Sequence, residues 1–195
     1  MGDETTKTAE QKMPESAAEE AVAASGPAGA SVVFVRRNAT LGIGHVGWGF
    51  LIHFGEDETT SLSGDNNLWE IGAVENHSGS PIAPPLADGY WHERTSEPLA
   101  PVAQRGYDHY KVIPVSNIDL GAAFRAEAVV RDRPYIAAVS NCMNDVYSIL
   151  KAYGVPDLPD PSKLANWIPN TWYDHIVAPE FAIEDPSGLA RRDHG

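Results

Sequence analysis

Cys142 is the single cysteine among 195 residues. It stands in Ser140-Asn141-Cys142-Met143-Asn144-Asp145-Val146-Tyr147-Ser148-Ile149-Leu150-Lys151-Ala152-Tyr153-Gly154, where small and polar residues open an amphipathic helix. The first turn of a helix carries unpaired backbone N–H groups and the positive end of the macrodipole, so it favours thiolate over thiol and can cradle an oxyanion. A low thiol pKa is therefore expected. Far upstream, Gly44-His45-Val46-Gly47-Trp48-Gly49-Phe50 sets a histidine on a strand pattern flanked by glycines. An imidazole is the usual base for a catalytic thiol, so the two predict a Cys-His nucleophile in which His45 deprotonates Cys142.

The third role, an acceptor that fixes the imidazole tautomer, depends on strand register. From His45 to His53 the sequence alternates, with Val46, Trp48, Phe50 and Ile52 on one face and His45, Gly47, Gly49, Leu51 and His53 on the other. After the polar loop Gly55 to Asn67, a second strand-like run, Leu68-Trp69-Glu70-Ile71-Gly72-Ala73-Val74-Glu75, can return antiparallel to it. Its end then lies beside His45, which nominates Glu75 or Asn76, a slip of one residue exchanging their faces. Glu75 is the preferred candidate.

Other site chemistries lack their patterns. His45 and His53 are eight residues apart on one strand, roughly 26 Å at about 3.3 Å per residue, and there is no His-x-x-x-His or Cys-x-x-Cys pair. No metal site and no cofactor are expected. Glu56, Asp57, Glu58 and Asp65 lack the spacing of a twelve-residue calcium loop and read as solvated charge. The Gly-x-Gly pairs at Gly42 and Gly47 do not open a helix as a phosphate loop does.

Composition narrows the class further. A net charge of −13, with 14 basic against 27 acidic residues, disfavours nucleic acid and anionic membranes as partners. A single cysteine forms no internal disulfide, so stability must come from burial. No apolar run approaches the roughly 20 residues of a membrane span. The beginning Met1-Gly2-Asp3-Glu4-Thr5-Thr6-Lys7 has neither a basic nor an apolar signal region, and a cytoplasmic location is expected.

The expected organisation is a tail over residues 1–30, one domain over residues 31–183, and a polar tail over residues 184–195. The first thirty residues contain no aromatic side chain and cannot offset their ordering entropy by burial. Strands are expected at Ser31–Arg36 and Tyr110–Val115, the latter near an edge because of Pro114. A long irregular excursion is expected from Ser78 to Gly106, rich in proline and turn formers. A helix capped by Ser116 or Asn117 should reach about Arg131, with Ile118, Ala122, Phe124, Ala128 and Val129 available to its apolar side. The cysteine helix should bury Met143, Val146, Ile149, Leu150 and Tyr153 and stop at Gly154. Trp167 to Tyr173 reads as an aromatic plug.

Strand histidine first, helix cysteine last, and an Asn141-Cys142 start to an apolar helix ending at glycine resemble the circularly permuted branch of the NlpC-type, papain-like superfamily, to which lecithin retinol acyltransferase and its relatives belong. The resemblance covers about residues 32 to 175. It implies an α+β permuted papain-like fold, a small antiparallel sheet packed on the catalytic-cysteine helix. It also implies Cys142 as nucleophile, His45 as base, and a polar third residue from Gly72-Ala73-Val74-Glu75-Asn76. The acyltransferase relatives often place a second histidine shortly after the first, whereas this chain offers Glu75 and Asn76. The implied activity is a thiol-dependent hydrolase (a peptidase or amidase) or acyltransferase acting on a peptide, amide or ester. The rival expectation is a non-catalytic binding module that keeps the fold.

Overall fold

The computed structural model describes residues 28–39, 42–53, 67–75, 82–83, 89–133, 135–136 and 141–183. The expectations for residues 1–27 and 184–195, and for Asn76, lie outside the described residues. The chain forms a mixed α+β structure, built on a six-stranded antiparallel sheet of order β5-β3-β2-β1-β6-β8. Its strands are β1 (Gly29–Arg36), β2 (His45–His53), β3 (Leu68–Val74), β5 (Tyr90–Thr95), β6 (His109–Val115) and β8 (Glu180–Ala182). A separate two-stranded ladder joins β4 (Ile82–Ala83) to β7 (Tyr135–Ile136). Among the described residues the α-helices are α1 (Leu99–Gln104), α2 (Leu120–Asp132), α3 (Cys142–Tyr153) and α4 (Pro169–Asp174).

The alternation in β2 assigns the two faces of the sheet. Phe50 packs on Phe124 of α2 and Tyr153 of α3, with ring centroids 5.6 and 5.1 Å apart, so Trp48 and Phe50 point towards the helices. The opposite face carries Val32 and Phe34 of β1 and Trp69, Ile71 and Ala73 of β3, all fully buried. There Phe34 meets Tyr107 edge to face at 6.2 Å. The sheet is thus covered on both sides, which explains why β1 reads as an unbroken apolar run instead of an alternation.

Helix α3 follows its pattern closely: Met143, Val146, Ile149, Leu150 and Tyr153 are buried, joined by Cys142 and Asp145. It ends at Gly154, whose φ of 115° is left-handed and whose N–H returns to the carbonyls of Leu150 and Lys151. Helix α4 is closed from outside. The buried Lys111 ammonium of β6 donates to the carbonyls of Tyr173 at 2.9 Å and Ile176 at 2.8 Å, meeting acceptors that a helix C-terminus leaves open.

Several expectations are corrected. The stretch from Ser78 to Gly106 is not irregular throughout, because Tyr90–Thr95 pairs with β3 as an edge strand and Leu99–Gln104 is helical. Pairing with a ready-made strand overrides weak local propensity. Helix α2 begins at Leu120, not at Ser116 or Asn117, since Asp119 Oδ1 accepts the Ala122 N–H at 2.7 Å. Its inner residues are Ala123, Glu127 and Val130, while Val129 is exposed. The plug is only half inserted: Trp172 and Tyr173 are buried and Trp167 is exposed. Pro114 fits its strand because β8 pairs only with His109 to Lys111, leaving that side of Pro114 without a ladder to break.

The closing turn of α3 yields a stability test. A Cβ at Gly154 would lie 2.1 Å from the Asn117 carbonyl oxygen, besides adopting a left-handed conformation. Gly154→Ala should lose at least about 1–2 kcal/mol of unfolding free energy and lower Tm by several degrees. Urea unfolding curves of the two proteins check this, and equal midpoints would contradict it.

Candidate active site

The turn that delivers His45 is built by residues distant in sequence. Asn170, at the start of α4, donates through Nδ2 to the carbonyls of Arg37 at 3.0 Å and Gly42 at 2.9 Å, and its N–H donates to Ile43 at 3.2 Å. Gly44 has φ 93° and no room for a side chain, since a Cβ there would fall 2.1 Å from Asn170 Oδ1. Asn170 thus fastens Arg37, Gly42 and Ile43, on either side of which β1 ends and His45 begins β2.

The β2–β3 ladder pairs Trp48 with Gly72 and is not continued beyond that pair, although both strands go on. Extending the register sets Gly47 opposite Ala73 and His45 opposite Glu75. A Cβ built at Gly47 would lie 3.2 Å from the Ala73 Cβ, in keeping with that extension. His45 and Glu75 are both buried and share Tyr107 as neighbour. The Tyr107 ring is 5.8 Å from the His45 ring, and its hydroxyl donates a long hydrogen bond, 3.4 Å, to Glu75 Oε1. The Trp91 indole N–H donates to the same oxygen at 3.1 Å. Arg105 stacks 4.1 Å from the Trp91 ring centre, and Arg36 lies 5.7 Å from that of Tyr107. Burial pushes the Tyr107 hydroxyl well above its ordinary range, with Glu75 adding to the effect. Tyr107 is therefore a neutral donor at physiological pH.

Cys142 reaches this cluster from α3. Asn141 caps the helix, its Oδ1 accepting the N–H groups of Met143 at 3.1 Å and Asn144 at 3.2 Å. The N–H of Cys142 is left outside that cap. The thiol is buried, and its sulfur accepts the backbone N–H of Val46, the residue next to His45. Cys142 thus approaches β2 one residue along the backbone from His45, while His45 and Glu75 are related through Tyr107.

The thiol is not acidic. Burial pushes Cys142 up to about 12, with the nearby Asp145 carboxylate in the same direction, and the backbone N–H groups of Val46, Met143 and Cys142 only partly oppose this. Desolvation outweighs the helix terminus, contrary to the low pKa expected from sequence. Asp145 is itself buried beside Arg133, and burial raises its carboxyl to about 6. Sequence reasoning missed Tyr107, Trp91 and Asn170. None carries a local signal for its role, since each acts through residues at least 16 positions away.

No protein-family model, curated protein or solved structure matches the chain.

A thiol near 12 has a direct kinetic consequence. At pH 8 the folded protein should react with iodoacetamide at least about a hundredfold more slowly than the urea-unfolded chain, whose thiol ionises near 8.5. The native rate should keep rising through pH 10, as thiolate accumulates. Alkylation followed by mass spectrometry measures both, and a native rate that levels off near neutral pH would show a preformed ion pair instead.

Proposed function

We propose that the protein is a thiol-dependent hydrolase or acyltransferase acting on an amide or ester through an acyl-cysteine intermediate, on a permuted papain-like fold. The observation that carries this reading is the seat of the Cys142 sulfur, at a helix start and on the amide beside His45, with His45 and Glu75 sharing Tyr107. The order of histidine strand and cysteine helix, and the antiparallel sheet against which that helix packs, support the superfamily resemblance.

Because the resting thiol is neutral, His45 acts as a general base and does not begin as half of an ion pair. It takes the Cys142 proton as sulfur attacks the substrate carbonyl, and the Cys142 N–H offers a donor to the developing oxyanion. His45 then returns the proton to the leaving amine or alcohol. Water or another acceptor attacks the acyl-cysteine, again with His45 as base, and frees the thiol. Glu75, fixed by Trp91 and Tyr107, steadies the imidazolium formed in each half-reaction. Non-catalytic binding is the second reading, favoured by the depth at which Cys142 is buried.

A panel of thiol-reactive acyl probes, followed by turnover assays on the esters and amides that label, separates the two. Cys142→Ser should abolish labelling while keeping the fold, and His45→Ala should lower kcat/KM by about 10²–10⁴-fold. Glu75→Gln should cost less than His45→Ala, because Oε1 still accepts from Trp91. Absence of labelling across the panel, or labelling indifferent to His45→Ala, would favour the binding module.

A further inference from the structure

On the helix-covered face of the sheet, two carboxylates are buried together. Glu70 of β3 is fully buried, and Glu127 of α2 is nearly so. Glu70 Oε2 accepts from Arg94 Nε at 2.6 Å, and Glu70 Oε1 lies 2.8 Å from Nδ1 of His92 on β5. Glu127 Oε1 accepts the Tyr90 hydroxyl at 2.7 Å and lies 3.6 Å from the same His92 nitrogen. One donor atom from each of Glu70, His92 and Glu127 falls within 4.8 Å of the other two.

We propose that Glu70, His92 and Glu127 form a divalent-metal site suited to zinc. Two carboxylate oxygens and one imidazole nitrogen are a donor set that zinc accepts, and around a tetrahedral ion with bonds of about 2.0–2.1 Å the donors stand about 3.4 Å apart. The separations of 2.8 and 3.6 Å bracket that spacing, so small side-chain adjustments bring the three donors onto one ion. The second oxygen of Glu70 is held by Arg94 and Glu127 is oriented by Tyr90, the outer-shell support that metal-binding carboxylates receive. The His92 side chain is half exposed, which gives the ion a path in and room for water as a further ligand.

The three ligands come from β3, β5 and α2, which makes the ion a fastening between the edge strand and the helix. This explains why Glu127 occupies an inward position on α2. The site lies on the opposite face of the sheet from His45 and Glu75, and it stands independently of the proposed reaction. The sequence search missed it because 22 residues separate Glu70 from His92, and no short spacing marks the set.

The test uses the full chain, stripped with a chelator and titrated with ZnCl2 by calorimetry, with thermal unfolding at each zinc concentration. One saturable equivalent is expected, with Tm rising as the site fills. His92→Ala and Glu127→Gln should each weaken binding by at least about tenfold and remove the Tm shift. His109→Ala, a change at the Asp108–His109 pair on β6, should bind as the parent does. Should Glu127→Gln fail to fold, His92→Ala decides, because its side chain is half exposed and little packing is lost. No saturable binding, or binding unaffected by His92→Ala, overturns the proposal and leaves His92 as a hydrogen-bonding neighbour of the two carboxylates.

Discussion

The hydrogen bond from the Val46 amide to the Cys142 sulfur is the contact around which the candidate site is arranged. An amide in the interior of a sheet would donate to a carbonyl of the next strand, but the β2–β3 ladder is not continued past Trp48 and Gly72. The start of α3 takes a place there. A buried N–H must find an acceptor, and sulfur meets that demand while fixing the thiol one residue from His45. The same parting of the strands lets Tyr107 reach both His45 and Glu75. The placement of the thiol and of the His45–Tyr107–Glu75 cluster therefore has one origin at this point, an interrupted ladder.

Burial gives this arrangement precision and removes its ionisation. A thiol raised to about 12 is neutral in the resting protein, so the proposed reaction would need a base at the moment of attack. An exposed low-pKa thiol would be ready at all times, and also open to oxidation, which follows thiolate character and access. Asp145 adds to the effect, because a carboxylate in the first turn repels a thiolate even when Arg133 partners it. The helix terminus is the weaker influence, since its fixed partial charges act against the full desolvation of sulfur.

What the sequence disclosed follows the range of the interaction concerned. The stripe and glycine stop of α3 were readable because they are set by neighbours within a few residues. Strand alternation and one hairpin bracket Glu75 to within one residue, and both it and His45 have Tyr107 as neighbour. Edge strand β5 was not readable, since Tyr-Trp-His-Glu-Arg-Thr has no alternation of its own and becomes a strand by pairing with β3. The inward turn of Glu127 was hidden likewise, for a helical glutamate reads as solvated until Tyr90 and His92 are brought to it. The low thiol pKa failed for the opposite reason: the local cause was correctly identified, and a long-range one, burial, exceeded it.

His45 stands early in the chain, yet the turn before it is fastened by Asn170, more than 120 residues later. Closure between such distant segments costs loop entropy, which the contacts of the intervening sheet and α3 help to offset. Lys111 ties the other end of the same short helix, donating to the carbonyls that follow Trp172. Helix α4 is six residues long and too short to persist alone, so its conformation is imposed by β6 at one end and by the β1–β2 turn at the other. A histidine held in this way is positioned by the completed fold and not by its own strand. The geometry of His45 therefore depends on a part of the chain distant from it in sequence, next to the proline-punctuated segment that on composition alone reads as mere connection.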